Sequence, residues 1–114
     1  MDPCIQTRFG HVVNLAAPVS ATIDLADITY ALSNISRFTG HASPPYTVAA
    51  HSLLVLQIVR DFLGRLDSAT GMWALMHDAA EAYTGDISSP FKARLLFDCG
   101  PGLAALIVSM RAQE

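Results

Sequence analysis

One long stripe of apolar side chains at helical spacing constrains the fold of this chain more than any other feature. The stripe runs for about five turns and contains one histidine; its members are Val48, His51, Leu54, Val55, Ile58, Val59, Phe62 and Leu66. Thr47 precedes it and is a residue type that caps helix N-termini. The pattern predicts an amphipathic helix after Thr47 whose apolar side, His51 included, packs on a core.

The segments on either side of this stripe also favour helices. Asp24 is a suitable cap for a helix whose apolar residues Ile28, Leu32 and Ile35 share one face. A third helix is expected from about Thr70 to Tyr83, followed by Gly85 as a C-terminal stop signal. The later runs "FKARLLF" and "GPGLAALIVSMRAQ" predict a short helix and a last apolar helix.

Two segments depart from the helical pattern. Residues 5–15, "IQTRFGHVVNL", mix Thr, Phe and Val around Gly10 and predict a short β-hairpin. The run "SRFTGHASPPY" contains Gly40 and the Pro44-Pro45 pair, which exclude regular structure there. We therefore predict an all-α bundle, with a small N-terminal hairpin, that forms a single domain over residues 1–114.

Composition limits the classes of function. At 114 residues, 52% hydrophobic and 15% charged, the chain can form one core and is not a disordered protein. A net charge of -3 argues against a surface that coats nucleic acid. Cys4 and Cys99 form no CxxC pair and are expected to be reduced thiols. With no signal-peptide pattern and no apolar run long enough for a membrane span, we expect a soluble cytoplasmic protein.

Three ionisable residues interrupt the otherwise small and apolar third helix. They are His77, Asp78 and Glu81, and the helix that carries them must pack near His51. Two imidazoles and a carboxylate suit a divalent first-row cation with positions left open for water and substrate. Glu81 lies one turn after His77 and could act there as a general acid or base.

Each of these residues also has an ordinary alternative. A histidine on an apolar stripe can be a hydrogen-bonded core residue, and a helical glutamate such as Glu81 can simply face solvent. Asp86 can cap the turn that begins at "DISSP". From the residues taken singly, both readings stay open.

The joint pattern "RFTGH…YTVAAHS…ALMHDAAEAYTGDISSPFK" resembles the HD-domain metal-dependent phosphohydrolases, in particular the branch that contains bacterial 5′-deoxynucleotidases. The resemblance begins at "QTRFGHVVNLAAP" and extends to about Lys92. It implies an all-helical bundle around a divalent transition metal (Mn, Co, Zn or Fe). The ligands it implies are His51, His77 and Asp78.

The same resemblance implies roles for four further residues. Glu81 matches the catalytic acid/base, and Asp86 matches an active-site carboxylate near the substrate and the attacking water. Arg37 matches an arginine that contacts the substrate phosphate. His41 matches a histidine that could bind phosphate, protonate a leaving group or order its loop.

The sequence also departs from this family. Typical members continue into further helices, one of which supplies a final aspartate ligand, whereas the later carboxylates here are Asp98 and Glu114. Asp98 is expected to cap a helix from a loop. The run "LAALIVSM", residues 103–110, is expected to form either a dimer interface or an intramolecular core helix, and a homo-oligomer is expected.

Two functions therefore remain open. The first is a phosphomonoesterase that hydrolyses nucleotides such as deoxynucleoside 5′-monophosphates through a metal-activated water. The second is an HD scaffold that binds a nucleotide or a protein partner without turnover, which the missing aspartate favours. The intact set of site residues favours the enzyme, with a small phosphorylated substrate and neither a membrane nor a long nucleic acid as partner.

Overall fold

A computed structural model describes residues 2–99 and residue 102 of the chain. Within these residues a two-stranded sheet is followed by helices; the elements are β1 (Cys4–Gln6), β2 (Val12–Asn14), α1 (Leu25–Asn34), α2 (Val48–Leu63), α3 (Ser68–Met76), α4 (Glu81–Thr84) and α5 (Ser89–Cys99). The predictions of a mainly helical fold and of an N-terminal hairpin are confirmed.

The hairpin pairs β1 with β2 in antiparallel register, with Cys4 opposite Asn14. Its turn contains Gly10 at φ 91°, a conformation that glycine adopts without steric cost. Val13 points into the protein and is 1% exposed. The sheet is therefore a small attachment that is anchored on the helices through one face.

Side-chain caps set the first residue of three helices. The carboxylate of Asp24 accepts from the Ala26 N–H at 2.7 Å, which confirms the predicted start of α1. The Thr47 hydroxyl accepts from the Ala50 N–H at 3.1 Å and begins α2 as predicted. Asp67 caps α3, so this helix begins at Ser68 rather than at about Thr70.

The helical core lies where α1, the start of α2 and the corner between α3 and α4 meet. Its buried centre is Ile28, Leu32 and Val48, and the side chains packed around it are Ile35, Ala49, Met76, Ala79, Ala82 and Tyr83. Full burial of one such aliphatic side chain is worth about 1.5–3 kcal/mol. This packing holds the residues around position 78 against the N-terminal end of α2.

The expectation that the whole stripe of α2 packs on a core is wrong for three of its members. Leu54 and Ile58 are exposed, and Phe62 is 88% exposed. The described helices α1 and α3 pack on α2 and leave these three side chains exposed. The spacing of the stripe identified a helix and a face, but could not show which residues are covered.

The C-terminal predictions have mixed outcomes. Asp98 is not in a loop, because α5 continues to Cys99, and its carboxylate accepts from Arg94 Nε at 2.8 Å. The last apolar helix, apart from Gly102, and the candidate interface at 103–110 lie outside the described residues. Cys4 is a free, exposed thiol. In the part of the chain that the structure describes, no helix combines the length and the apolar character needed to cross a bilayer.

Candidate metal centre

The corner between α3 and α4 carries the histidine-aspartate pair. The sequence predicts one helix from Thr70 to Tyr83, but α3 ends at Met76 and α4 begins at Glu81. Between them the amides donate to carbonyl groups three residues earlier, as the Glu81 N–H does to Asp78 at 3.0 Å. This 3₁₀ pattern within a helical run is frequent at functional positions. The prediction of an unbroken helix is therefore wrong at the corner that carries the candidate ligands.

Three side chains converge beside this corner. Nε2 of His77 lies 3.1 Å from Oδ2 of Asp78, and Nε2 of His51, from the first turn of α2, lies 3.4 Å from the same oxygen. One ligand atom from each of the three residues lies within 4.8 Å of the other two. The three predicted metal ligands are thus brought together, each partly buried, in an arrangement that can hold one ion.

The hydrogen bond on the other side of His77 determines what its Nε2 can do. Nδ1 lies 2.8 Å from the carbonyl oxygen of Ala74, which can only accept, so Nδ1 carries the proton. In the neutral ring Nε2 then presents a lone pair, and it faces a carboxylate oxygen of Asp78 that also presents lone pairs. Two acceptors at this distance require a cation or an extra proton between them. The donor set therefore fits a divalent metal, with the Ala74 carbonyl as the outer partner that orients the ligand.

The surroundings of His51 favour its neutral, metal-binding form. Desolvation by burial lowers the pKa of His51, and the positive charge of Arg37 lowers it further. Asp78 and Asp86 act in the opposite direction without restoring the usual value. A neutral imidazole is the form that coordinates metals, so protons compete with a metal for His51 only at lower pH than usual.

A second pair of charges lies near His51. Nε of Arg37 and Oδ2 of Asp86 are 3.8 Å apart, and both side chains are partly buried. The charges of both residues act on the pKa of His51. The structure thus places Arg37 and Asp86, predicted as substrate-binding and catalytic residues, near His51, one of the three candidate ligands.

The loop that follows Arg37 has an unusual backbone. Phe38 and Thr39 have φ angles of 58° and 55°, which residues other than glycine rarely adopt. The loop is closed by the Arg37 N–H, which donates to the carbonyl of Tyr46 at 2.7 Å. Such strained conformations cluster at functional sites. Closure of the loop at Tyr46 fixes Arg37 beside the start of α2.

Two further residues, Glu81 and His41, were predicted from the sequence as part of the site. Glu81 is partly buried at the first position of α4, and its backbone N–H is bonded to Asp78. His41 is exposed in the loop after Arg37. The catalytic role of Glu81 and the substrate-binding role of His41 stay predictions.

Sequence reasoning missed two aromatic residues that contact the candidate ligands. Trp73 stacks on His77 with ring centroids 5.8 Å apart, and Tyr46 meets His51 edge-on at 6.4 Å. The spacing of four residues between Trp73 and His77 is a signal that could have found the first contact. Tyr46 lies outside the helix of His51, and no helical periodicity relates the two.

Comparisons with known proteins find relatives but no activity. No family model matches the chain. The protein YfdR of Escherichia coli (strain K12) is 48% identical over 77 residues, which are 67% of this chain and 38% of YfdR. RCAP_rcc00048 of Rhodobacter capsulatus is 32% identical over 88 residues, which are 75% of this chain and 45% of that protein. Both are described as uncharacterized, and the chain spans less than half the length of these curated relatives.

Proposed function

We propose that this chain is an HD-type metal-dependent phosphohydrolase that acts on small phosphate monoesters, with deoxynucleoside 5′-monophosphates as the expected substrates. The observation that carries the proposal is the convergence of His51, His77 and Asp78, in which a lone pair of His77 faces the carboxylate. The resemblance of the sequence to HD-domain enzymes supports the same assignment.

Each residue near the centre has a chemical task in this proposal. A bound divalent cation supplies an acidified water and a Lewis acid for the phosphoryl group. The planar guanidinium of Arg37 binds phosphate oxygens, and Asp86 orients that guanidinium in the absence of substrate. Glu81 accepts the proton of the attacking water and returns it to the leaving oxygen. His41 binds the substrate from the loop after Arg37.

The proposal is tested by metal content and phosphate release measured on the same preparations. We expect about one transition-metal ion per chain after incubation with Mn²⁺, Co²⁺ or Zn²⁺, and release of phosphate from a panel of nucleoside monophosphates. His77→Ala should lower metal affinity and activity by more than the roughly 10–100-fold that follows loss of an outer-shell partner. Asp61→Asn is the control, since Asp61 is an exposed carboxylate on α2.

The possible results separate the two functions considered from the sequence. A wild-type protein that binds no metal under these conditions would refute the proposal. Metal bound by the wild type but not by His77→Ala, with no substrate hydrolysed, would favour the scaffold that binds a nucleotide or a partner without turnover. Equal activity of the wild type and His77→Ala would show that the phosphatase activity arises elsewhere.

A further inference from the structure

Trp73 is placed against the candidate ligand His77 by helix geometry. The two residues are four positions apart, so they lie on the same side of α3 and its C-terminal end. The indole and the imidazole are stacked, with an interplanar angle of 29° and ring centroids 5.8 Å apart. Trp73 is therefore a direct neighbour of a group that is expected to coordinate a metal.

The contribution of Trp73 to the core is small. Its side chain is 62% exposed, although a tryptophan that serves folding normally buries most of its large surface. Met72, beside it on α3, is 60% exposed, and a methionine side chain has no ring that could stack on His77. What distinguishes Trp73 from this neighbour is the stacked contact.

The His77 ring is held from three directions. The Ala74 carbonyl accepts from Nδ1, the His51 ring lies at 5.3 Å and 62°, and the Trp73 indole lies on a face. These contacts leave Nε2, directed at Asp78, as the atom free to coordinate. Because the imidazole already has this orientation in the metal-free protein, less conformational entropy is lost when a metal binds.

We propose that Trp73 is a positioning residue of the candidate metal centre, whose indole holds the His77 imidazole in its coordinating orientation and thereby raises metal affinity. This inference rests on the metal site in the proposed function, and it assigns Trp73 no contact with substrate. The stabilisation that an aromatic pair gives beyond the burial of its surface corresponds to a change of about two- to tenfold in the metal affinity.

The test compares cobalt affinities, measured by competition with a chelating dye, for three variants. Trp73→Leu keeps an apolar side chain without a ring and should bind Co²⁺ about two- to tenfold more weakly. Trp73→Phe keeps a ring that can stack and should recover most of the loss. Met72 is nearly as exposed as Trp73, and Met72→Leu should bind Co²⁺ like the wild type. Far-UV circular dichroism confirms that each variant is folded.

The single tryptophan also gives a direct spectroscopic readout in the wild type. Because the indole is next to His77, Co²⁺ should quench its fluorescence and reach saturation at one equivalent. Equal cobalt affinity of Trp73→Leu and the wild type would overturn the inference, as would an equal loss in Trp73→Leu and Met72→Leu. If Trp73→Leu does not fold, this quenching replaces the comparison of Trp73→Leu with the wild type. Unquenched fluorescence in the cobalt-loaded protein would then overturn the inference.

Failure of the metal site itself is distinguishable from failure of this inference. If the wild type binds none of Co²⁺, Mn²⁺ and Zn²⁺, the proposed function fails, and the orientation of His77 is read from its imidazole ¹⁵N resonances in the metal-free protein. Trp73→Leu should then shift these resonances toward the averaged values of a mobile ring, whereas Met72→Leu should not. Resonances unchanged by Trp73→Leu would show that the indole does not position His77.

Discussion

Two clusters in the described part of the chain combine histidine with aspartate, and they differ in the groups that face the carboxylate. In the first, between the hairpin and α1, His11 Nδ1 lies 2.7 Å from Oδ2 of Asp27. The Phe9 N–H donates to the other oxygen at 2.9 Å. Asp27 is only 3% exposed, so this carboxylate is buried and both of its oxygens are paired. Such a group fixes the hairpin on the helix.

In the second cluster, the candidate metal centre, the contacts to the carboxylate are longer and the partners differ. Asp78 Oδ2 lies 3.1 Å from Nε2 of His77 and 3.4 Å from Nε2 of His51. The Nδ1 proton of His77 is already donated to the Ala74 carbonyl, so in the neutral ring Nε2 carries none. The Asp78 carboxylate therefore faces at least one acceptor, whereas the Asp27 carboxylate faces donors. The side chain of Asp78 also stays partly exposed to solvent.

The difference shows that residue types alone do not define a metal site. A histidine whose available N–H points at a carboxylate forms a structural pair. A histidine whose N–H is used elsewhere leaves a lone pair toward the carboxylate and can accept a cation. The assignment of function to the second cluster depends on the Ala74 carbonyl as much as on the ligands themselves.

The largest expected effect comes from exchanging each aspartate for asparagine. Asp78→Asn should weaken metal binding by more than about 100-fold, since it removes an anionic ligand. In the metal-free protein we expect its free energy of unfolding to change by less than about 1 kcal/mol. Asp27→Asn should leave metal binding unchanged and lower the free energy of unfolding. One of the two buried acceptor oxygens becomes an NH₂ group, which donates and cannot accept the existing hydrogen bond. Metal content and the thermal midpoint of the metal-free protein are measured for both.

These two variants are each other's controls. Metal content should stay at the wild-type level in Asp27→Asn, and the thermal midpoint should fall by several degrees. Loss of metal in both variants would mean that the hairpin and the centre are coupled. A fall in stability with Asp78→Asn alone would show that the comparison drawn between the two clusters is wrong.

A smaller effect is expected in the pH dependence of stability. Burial raises the pKa of Asp27, but hydrogen bonds from the Phe9 N–H, Thr7 and His11 lower it by more, so the net shift is downward. A carboxyl group whose pKa is lowered by folding stabilises the fold above its ordinary pKa of 3.8. This contribution is lost as the pH falls through the lower value in the folded protein.

Urea unfolding of the wild type and Asp27→Asn at a series of pH values measures this contribution. The difference between their free energies of unfolding should narrow as the pH falls below the ordinary pKa of the carboxyl group. Asp61→Asn, which removes an exposed carboxylate, provides the baseline for general charge effects. A difference that stays constant to the acid limit would show that Asp27 gains nothing from its ionised form.

Local features of the fold could be predicted because they depend on residues a few positions apart. The caps Asp24 and Thr47, the turn at Gly10 and the stop at Gly85 are of this kind. His51, His77 and Asp78 were expected together because of the resemblance to HD-domain enzymes, since each residue taken singly left an ordinary alternative open.

Other features depend on contacts between distant residues and left no local signal. His11 and Asp27 are 16 positions apart, and neither helical nor strand periodicity relates the two. The run "HDAAEAY" has a high helix propensity, yet Ala79 and Ala82 pack on the core and the chain tightens there. Tertiary packing overrides propensity at this corner. The exposure of Phe62 was equally unpredictable, because periodicity identifies a face but not what covers it.

The smallest expected effect concerns a third acid–base pair, Arg37 with Asp86. Their atoms are 3.8 Å apart, which is too far for a hydrogen bond, so the pair resembles neither histidine cluster. Arg60 and Asp61 are separated by the same 3.8 Å on the surface and form a matched control. In double-mutant cycles to alanine, we expect a coupling in the free energy of unfolding of about 0–1 kcal/mol for each pair.

A weak coupling is what the proposed function requires of Arg37. An arginine that must bind a phosphate cannot also be held strongly by a carboxylate, because the substrate would have to break that contact. Inorganic phosphate should then bind Arg37→Ala about 10–100-fold more weakly than the wild type, as expected for a lost charged hydrogen bond. It should bind Asp86→Ala at least as tightly as the wild type. The contrary result would be a coupling above about 2 kcal/mol in the Arg37–Asp86 cycle together with unchanged phosphate binding by Arg37→Ala. It would show that this pair is a structural contact, like the pair of His11 and Asp27.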